Sequence, residues 1–311
     1  MSPVAGEVLV DVAGQRMRLS NLDKVLYPED GFTKGDVIDY YSRVAAVLTP
    51  HLRDRPVTFR RFPDGVAKPG FFHKNAAGHA PDWVRTVTIE TPGSSTGAQS
   101  LDFALLPDLP SVVWAANLAG LELHVPQWTV GPRGGRRCPD RLVFDLDPGE
   151  PATVVECCEV ALALRAELTA DGLTAVAKTS GNKGMQLYAP VTTTTPEHTS
   201  NYAKALAERL EAAMPRLVVS RMAKALRRGK VFIDWSQNNP NKTTVAPYSL
   251  RARSLPTAST PLAWDEVEAC GSVDDLLFTA DDVLDRVAEL GDLFEPLLAK
   301  GPRLPTSTQR S

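Results

Sequence analysis

One run limits the fold more than any other: Arg141-Leu142-Val143-Phe144-Asp145-Leu146-Asp147-Pro148. Its apolar, aromatic and β-branched residues read as a strand, closed by Pro148-Gly149. Side chains alternate along a strand, so Asp145 and Asp147 project to the same face. Two neighbouring carboxylates repel unless a cation stands between them. Hard divalent cations take oxygen ligands, and a pair of Mn2+ or Mg2+ ions suits in-line phosphoryl or nucleotidyl transfer. The plainer reading is a strand-end turn with Asp147 capping the next helix. The run alone leaves both open.

A third acid stands out in the same way. Asp234 is the only charge in Val231-Phe232-Ile233-Asp234-Trp235, and a carboxylate in an apolar strand needs a partner. That partner is a flanking Arg or Lys, or a metal ion shared with the first two acids. In Thr179-Ser180-Gly181-Asn182-Lys183-Gly184 two glycines let backbone amides turn toward an anion, and Lys183 adds charge. The pattern is not a Walker A loop, and a tight hairpin explains it equally well. His124 sits on a predicted strand, where a lone histidine is commonly a core residue. Phe71-Phe72, in a predicted Gly/Pro loop between Lys68 and Lys74, makes a stacking platform for bases if exposed and a loop anchor if not.

Charge sharpens this picture. The total is -3 with a pI near 6.0, which by itself speaks against a nucleic-acid binder. Along the chain it separates. Residues 216–253 hold nine Lys or Arg against Asp234 alone, a segment of +8. Residues 53–74 carry +4, and residues 261–299 carry -10. A basic face and an acidic face follow, with DNA binding that weakens steeply in salt. No apolar run approaches the length of a membrane span, and the N-terminus lacks the plan of a signal peptide. Cys138, Cys157, Cys158 and Cys270 have no metal-ligand spacing and read as reduced. A cytoplasmic, nucleoid-associated protein is expected.

Strand and helix signals interleave, which predicts an α+β (mixed α/β) fold with a central sheet flanked by helices. Glu7–Leu19 reads as a hairpin around Ala13-Gly14. Thr33 and Asp36 predict a helix start, with the helix over 34–48. Residues 56–62, 121–125, 141–147, 173–179, 185–189, 231–235 and 243–246 read as strands. Helices are expected over 111–118, 151–171, 197–214 and 280–299. Residues 93–110 read as a long surface loop. A single catalytic domain over 1–299 and a disordered tail over 300–311 complete the expectation.

Taken in order, seven stretches carry a resemblance: SNLDKVLYPEDGFTKGDVIDYY, RPVTFRRFPDG, GFFHKN, LELHVPQW, RLVFDLDPGE, TSGNKGMQLY and KVFIDWSQNNPNKTTVAPYSLRAR. The chain resembles the polymerase domain of bacterial ligase D, in the archaeo-eukaryotic primase superfamily, from about Leu19 to about Leu298. The resemblance implies a primase-polymerase core. Asp145, Asp147 and Asp234 match the metal-binding acids, which would hold two divalent cations, Mn2+ or Mg2+. His124, Ser180, Lys183 and Arg251 match contacts to the incoming nucleotide, NTP or dNTP. Gln237 and Arg227 match positions around the nucleotide and the DNA strand. Asn21, Lys24 and Lys34 match a pocket for the 5′-phosphate of gapped or broken DNA. Phe71 and Phe72 match aromatics that stack on the template.

The implied activity is template-dependent primer extension that fills short gaps in DNA repair, with a ribonucleotide preference. Ku or a separate ligase are the expected partners. Two features depart from the family. It usually reads SGGKGLH where this chain reads SGNKGMQ, so Gln186 stands in place of a histidine that helps bind triphosphate. The segment 93–110 is longer than the family loop that pairs DNA ends. With no ligase or nuclease sequence following, a stand-alone repair polymerase is expected. Other readings are an end-joining module, a catalytically degenerate DNA-end binder, and a DxD glycosyltransferase. The last leaves Phe71-Phe72 and the +8 segment unexplained.

Overall fold

A computed structural model describes residues 6–91 and 97–305. The N-terminal strands β1 (Glu7–Val12) and β2 (Gln15–Ser20) form the expected hairpin, turning at Ala13 and Gly14, both with positive φ. A small pair, β3 (Val25–Tyr27) and β4 (Phe32–Thr33), leads into helix α1 (Lys34–Leu52). Thr33 caps it as expected. Its hydroxyl accepts from the Asp36 amide at 3.2 Å, and the Asp36 carboxylate accepts from the Thr33 amide at 2.7 Å. The helix continues past residue 48 and through Pro50. The bond lost at proline is offset by burial of His51 and Leu52, both fully enclosed.

Two sheets organise the rest. The first runs β15 (Thr244–Val245), β9 (Gly120–Val125), β5 (Thr58–Arg61), β6 (Phe71–His73), all antiparallel. The hairpin β7 (Thr86–Glu90) and β8 (Ser100–Ala104) adjoins it, followed by α2 (Leu109–Asn117). The second is six-stranded: β13 (Val218–Val219), β14 (Val231–Asp234), β10 (Arg141–Pro148), β12 (Met185–Pro190), β11 (Val176–Thr179), β16 (Pro261–Leu262). Only β13 and β14 pair in parallel. Helices α3 (Val154–Ala170), α4 (His198–Ala213), α5 (Trp264–Ala269) and α6 (Ala280–Leu290) complete the fold.

Alternation along β10 sets the whole site. Leu142, Phe144 and Leu146 join one buried cluster with Cys157, Ala161 and Leu164 of α3 and Ala203 and Leu206 of α4. Arg141, Val143, Asp145 and Asp147 therefore face the other way. A separate core joins α1, α2, β5 and β9 through residues such as Val44, Leu48, Phe59, Trp114 and Leu123. All four cysteines are unpaired, as expected.

Several expectations need correction. Phe71-Phe72-His73 is a strand rather than a loop, because Arg61, Arg60 and Phe59 of β5 pair with it residue for residue. The stretch 93–110 is not a continuous loop. Residues 93–96 lie outside the described residues, but β8 and the start of α2, capped by Asp108, fall within it. The closing helix ends at Leu290, where Gly291 takes a positive φ, and a single turn over Glu295–Leu298 follows. Residues 300–305 are not a loose tail. Thr192 bridges Arg303, the Thr192 hydroxyl donates to the Gly301 carbonyl at 2.8 Å, and Leu304 is buried. Residues 306–311 lie outside the described residues.

Candidate functional site

The acids meet through register. Asp145 on β10 is paired directly with Asp234 on β14, and Asp147 lies two residues along the same face. Burial raises the Asp145 carboxyl to about 7, and the charges of Asp147 and Asp234 add to that. Asp147 is raised by burial and by Asp234, while Arg227 pulls the other way. Among the described residues neither Asp145 nor Asp147 makes an ion pair. Asp145 accepts one hydrogen bond, from Gln186 Nε2 at 2.8 Å.

Asp234 is held differently. Its oxygens accept from the Ser236 amide at 3.0 Å, from the Ser236 hydroxyl and from Gln237 Nε2 at 2.8 Å, with Lys242 Nζ at 3.8 Å. Among the described residues no three His, Cys, Asp or Glu side chains converge as a ready metal cage. The donor chemistry nonetheless fits hard divalent cations: oxygen donors on one face, whose repulsion Lys242 offsets only at Asp234.

Gln186 is placed on the acid. It is paired across β10 and β12 with Asp145. Its orientation is fixed from behind: the Tyr188 hydroxyl donates to Gln186 Oε1 at 3.0 Å and lies 2.8 Å from the Thr244 hydroxyl, which also accepts from Gln127 Nε2 at 2.7 Å.

The Ser180–Gly184 loop joins β11 to β12 beside the acids. The Ser180 hydroxyl accepts from the amides of Asn182 and Gly184 at 3.3 Å and closes the turn. Its glycines answer to space. A Cβ on Gly181 would meet Arg251 Cγ at 2.5 Å, and one on Gly184 would overlap the Leu146 carbonyl oxygen of β10. Lys183 is solvated and pairs with Glu150 at 2.7 Å.

Sequence reasoning missed Glu122. Its carboxylate is 2 % exposed and collects His124 Nε2 at 2.9 Å, Arg60 at 3.3 Å, Arg251 Nε at 3.6 Å and the Ala252 amide at 3.1 Å. The signal was present: Glu122 and His124 alternate on β9 and share a face. Burial pushes Glu122 up, but the His124 hydrogen bond and the Arg251 charge outweigh it and hold the carboxyl at about 2. Burial lowers His124, against the pull of Glu122.

Replacing Glu122 by Gln should therefore remove about 3 kcal/mol of stability at pH 7, from a depression of 4.5 to about 2. A depressed acid stabilises above its unfolded value and loses that as pH falls. Denaturant titrations of wild type and E122Q should differ most above pH 4.5 and converge toward pH 2. A gap that stays constant with pH would contradict this account of Glu122.

The remaining expected residues fall into three places. Phe71 and Phe72 are 47 % and 59 % exposed. Neither anchors its strand; buried His73 does. Arg61 lies over the Phe71 ring at 5.4 Å, Arg60 over Phe72 at 5.8 Å, and Phe72 meets His124 edge-on at 5.9 Å. Arg227 lies 3.6 Å over Phe232. At the start of α1, the Lys34 amide donates to the Lys24 carbonyl at 2.8 Å, and Lys34 Nζ donates to the Ser20 carbonyl at 2.6 Å. Asn21 holds a positive φ beside them. Burial, then Arg61 and Lys24, lowers the Lys34 ammonium to about 8. Lys24 pairs with Asp64 at 3.0 Å.

Residues 33–294 match the family described as LigD, primase-polymerase domain. The chain is 45 % identical over 289 residues to the multifunctional non-homologous end joining protein LigD of Mycolicibacterium smegmatis, covering 93 % of this chain and 37 % of that protein. It is 34 % identical over 278 residues to the bifunctional LigD of Bacillus subtilis, covering 89 % and 43 %. The chain thus spans less than half the length of these relatives. The polymerase domain of Mycobacterium tuberculosis ligase D, solved in complex with DNA, superposes with a TM-score of 0.85 at 43 % identity. That alignment covers 93 % of this chain and all of that one. Among the described residues no helix is long and apolar enough to cross a membrane.

Proposed function

The chain belongs to the primase-polymerase domain family of LigD, which are metal-dependent nucleotidyltransferases, and we propose that it extends primers across short gaps in broken DNA. The observation that carries this reading is the register of β10 and β14, which sets Asp145, Asp147 and Asp234 on one face, where burial and mutual repulsion raise Asp145 to about 7. The end-joining names of its relatives favour a role at double-strand breaks.

Each group of residues has a task in this reading. Asp145, Asp147 and Asp234 hold two divalent cations, Mn2+ or Mg2+. When bound, these supply charge neutralisation for the reacting phosphates and the primer hydroxyl. Gln186 holds the Asp145 carboxylate, and Gln237 holds Asp234. Glu122 sets the orientation of His124 and Arg251 toward the nucleotide. Ser180 shapes the turn that places Arg251, and Lys183 offers charge at its tip. Arg227 and Lys242 line the approach to the acids, and Asn21, Lys24 and Lys34 receive the 5′-phosphate. Ribose selection falls to the His124 side of the site. Residues 1–299 with the strap to Pro305 form the catalytic unit. Ku and a ligase are its proposed partners.

Phe71 and Phe72 stack on the template beside the cation-lined strand β5. Removing one base-stacking ring costs about 1–3 kcal/mol. Phe72→Ala should therefore weaken binding to a gapped duplex about tenfold or more, while the exposed position leaves the fold intact. Fluorescence anisotropy measures it, and unchanged affinity would remove the stacking role. The reading as a whole is tested by extension on gapped, overhanging and unprimed templates in parallel, comparing ribonucleotides with deoxyribonucleotides. Gap filling with a preference for the 5′-phosphorylated substrate is expected. Absence of that preference would remove the phosphate pocket from the account.

A further inference from the structure

The face of β10 that carries the acids bears an opposite charge at its other end. Arg141 stands four residues before Asp145, about 13 Å along an extended strand. It lines a cavity of about 470 Å³ at that other end of the strand. That size is ordinary for a small-molecule pocket. Arg53, Arg55, Arg137 and Lys300 line it too, against only Asp54 and Asp140.

Both acids are already engaged. Asp140 accepts from Arg55 with both oxygens at 2.8 Å, and Asp54 pairs with Arg85 at 3.3 Å. Among the described residues Arg53, Arg137, Arg141 and Lys300 have no ion pair. Arg141 is the most telling of these. It is 3 % exposed, its side chain donates no hydrogen bond among the described residues, and its Nε is enclosed without a partner. Burial, with the repulsion of Arg55, lowers its guanidinium to about 9 despite Asp140, Tyr188 and Asp292 nearby. A buried charge without a partner is strongly unfavourable. A guanidinium presents a planar fork that matches a phosphoryl group with two parallel hydrogen bonds.

We propose that this cavity binds a small phosphorylated ligand, with its phosphoryl group on Arg141 and its entry lined by exposed Arg53, Arg137 and Lys300. Val191 and Leu297 supply an apolar wall for the rest of the ligand. The enclosed anchor favours a small molecule over a polymer backbone. The site is distinct from the acids of β10 and from the Lys24–Lys34 pocket.

Inorganic phosphate and AMP serve as probes on the full chain, with thermal unfolding as the readout. Each is compared with chloride and with acetate at equal ionic strength. Near saturation either probe should raise the wild-type Tm by ~2–4 °C over chloride. Arg141→Met keeps the bulk, removes the buried charge and should fold at least as well. It should lose this rise, and exposed Arg137→Ala should reduce it. Asp145→Asn should retain it. The proposal is overturned if wild type shows no rise over chloride, or if Arg141→Met responds as wild type does. It is also overturned if Asp145→Asn loses the rise, which would place the phosphate at the polymerase centre, or if acetate matches phosphate.

Discussion

Replacing Asp145 by asparagine should lower nucleotide incorporation by about a thousandfold or more while leaving the protein at least as stable. A thousandfold corresponds to about 4 kcal/mol of transition-state stabilisation. That is the share expected for one of three carboxylates proposed to hold the metal charge together. The stability half of the prediction comes from the same geometry. Asp145 is raised to about 7 because it is buried beside Asp147 and Asp234. An acid raised above its unfolded value favours the fold at low pH, and that contribution is lost as pH rises through about 7. Asparagine carries no charge to be penalised, and its carbonyl still accepts the Gln186 bond. Wild type should therefore lose stability between pH 4 and pH 8 relative to D145N. Added Mn2+ should restore wild type and leave D145N unmoved. A variant that is inactive because it unfolds would show the opposite trend in Tm.

The second large effect concerns a residue with no side chain. Gly184 lies against β10, and a methyl group there would overlap the Leu146 carbonyl oxygen and come within 3.1 Å of Pro148 Cδ. Backbone cannot yield as a flexible side chain can. Gly184→Ala should cost about 3 kcal/mol or more. Because Leu146 lies between Asp145 and Asp147, the same displacement should reduce extension about a hundredfold. Gly135 has open space around it and no positive φ, so Gly135→Ala should change stability by less than about 0.5 kcal/mol. Chemical denaturation of the two variants measures the contrast. Equal stability would show that the hairpin tolerates the displacement.

Much of this was legible where one local rule decides. The Thr33–Asp36 cap, the turn at Ala13-Gly14 and the alternation Asp145, Asp147 depend on neighbours a few residues away. The sequence reading stopped where distant partners decide. Strand β6 exists because β5 lies beside it, and no local pattern in Phe71-Phe72-His73 announces that. Helix α1 passes Pro50 into buried His51 and Leu52, where His51 meets Asp292, far along the chain, at 2.9 Å. Gly291, by contrast, is a local helix stop that the expected helix over 280–299 passed over. Within the site, the acids stood out because charges are rare in apolar strands. Glu122 did not, since its role comes from Arg60 and Arg251 on other elements. Gln186, which the resemblance puts at the triphosphate, also donates to Asp145, a partner that only the strand register could reveal.

The central claim is that three acids on β10 and β14 carry template-directed nucleotidyl transfer. Single-turnover extension on a 5′-phosphorylated gap with Mn2+ tests it most directly, run beside Asp145→Asn, Asp147→Asn and Asp234→Asn. The account predicts templated product from wild type, and losses of about a hundredfold or more from each variant, with DNA affinity within a few fold of wild type. Wild type that binds the gap yet adds no nucleotide, or variants that extend as fast as wild type, would contradict it.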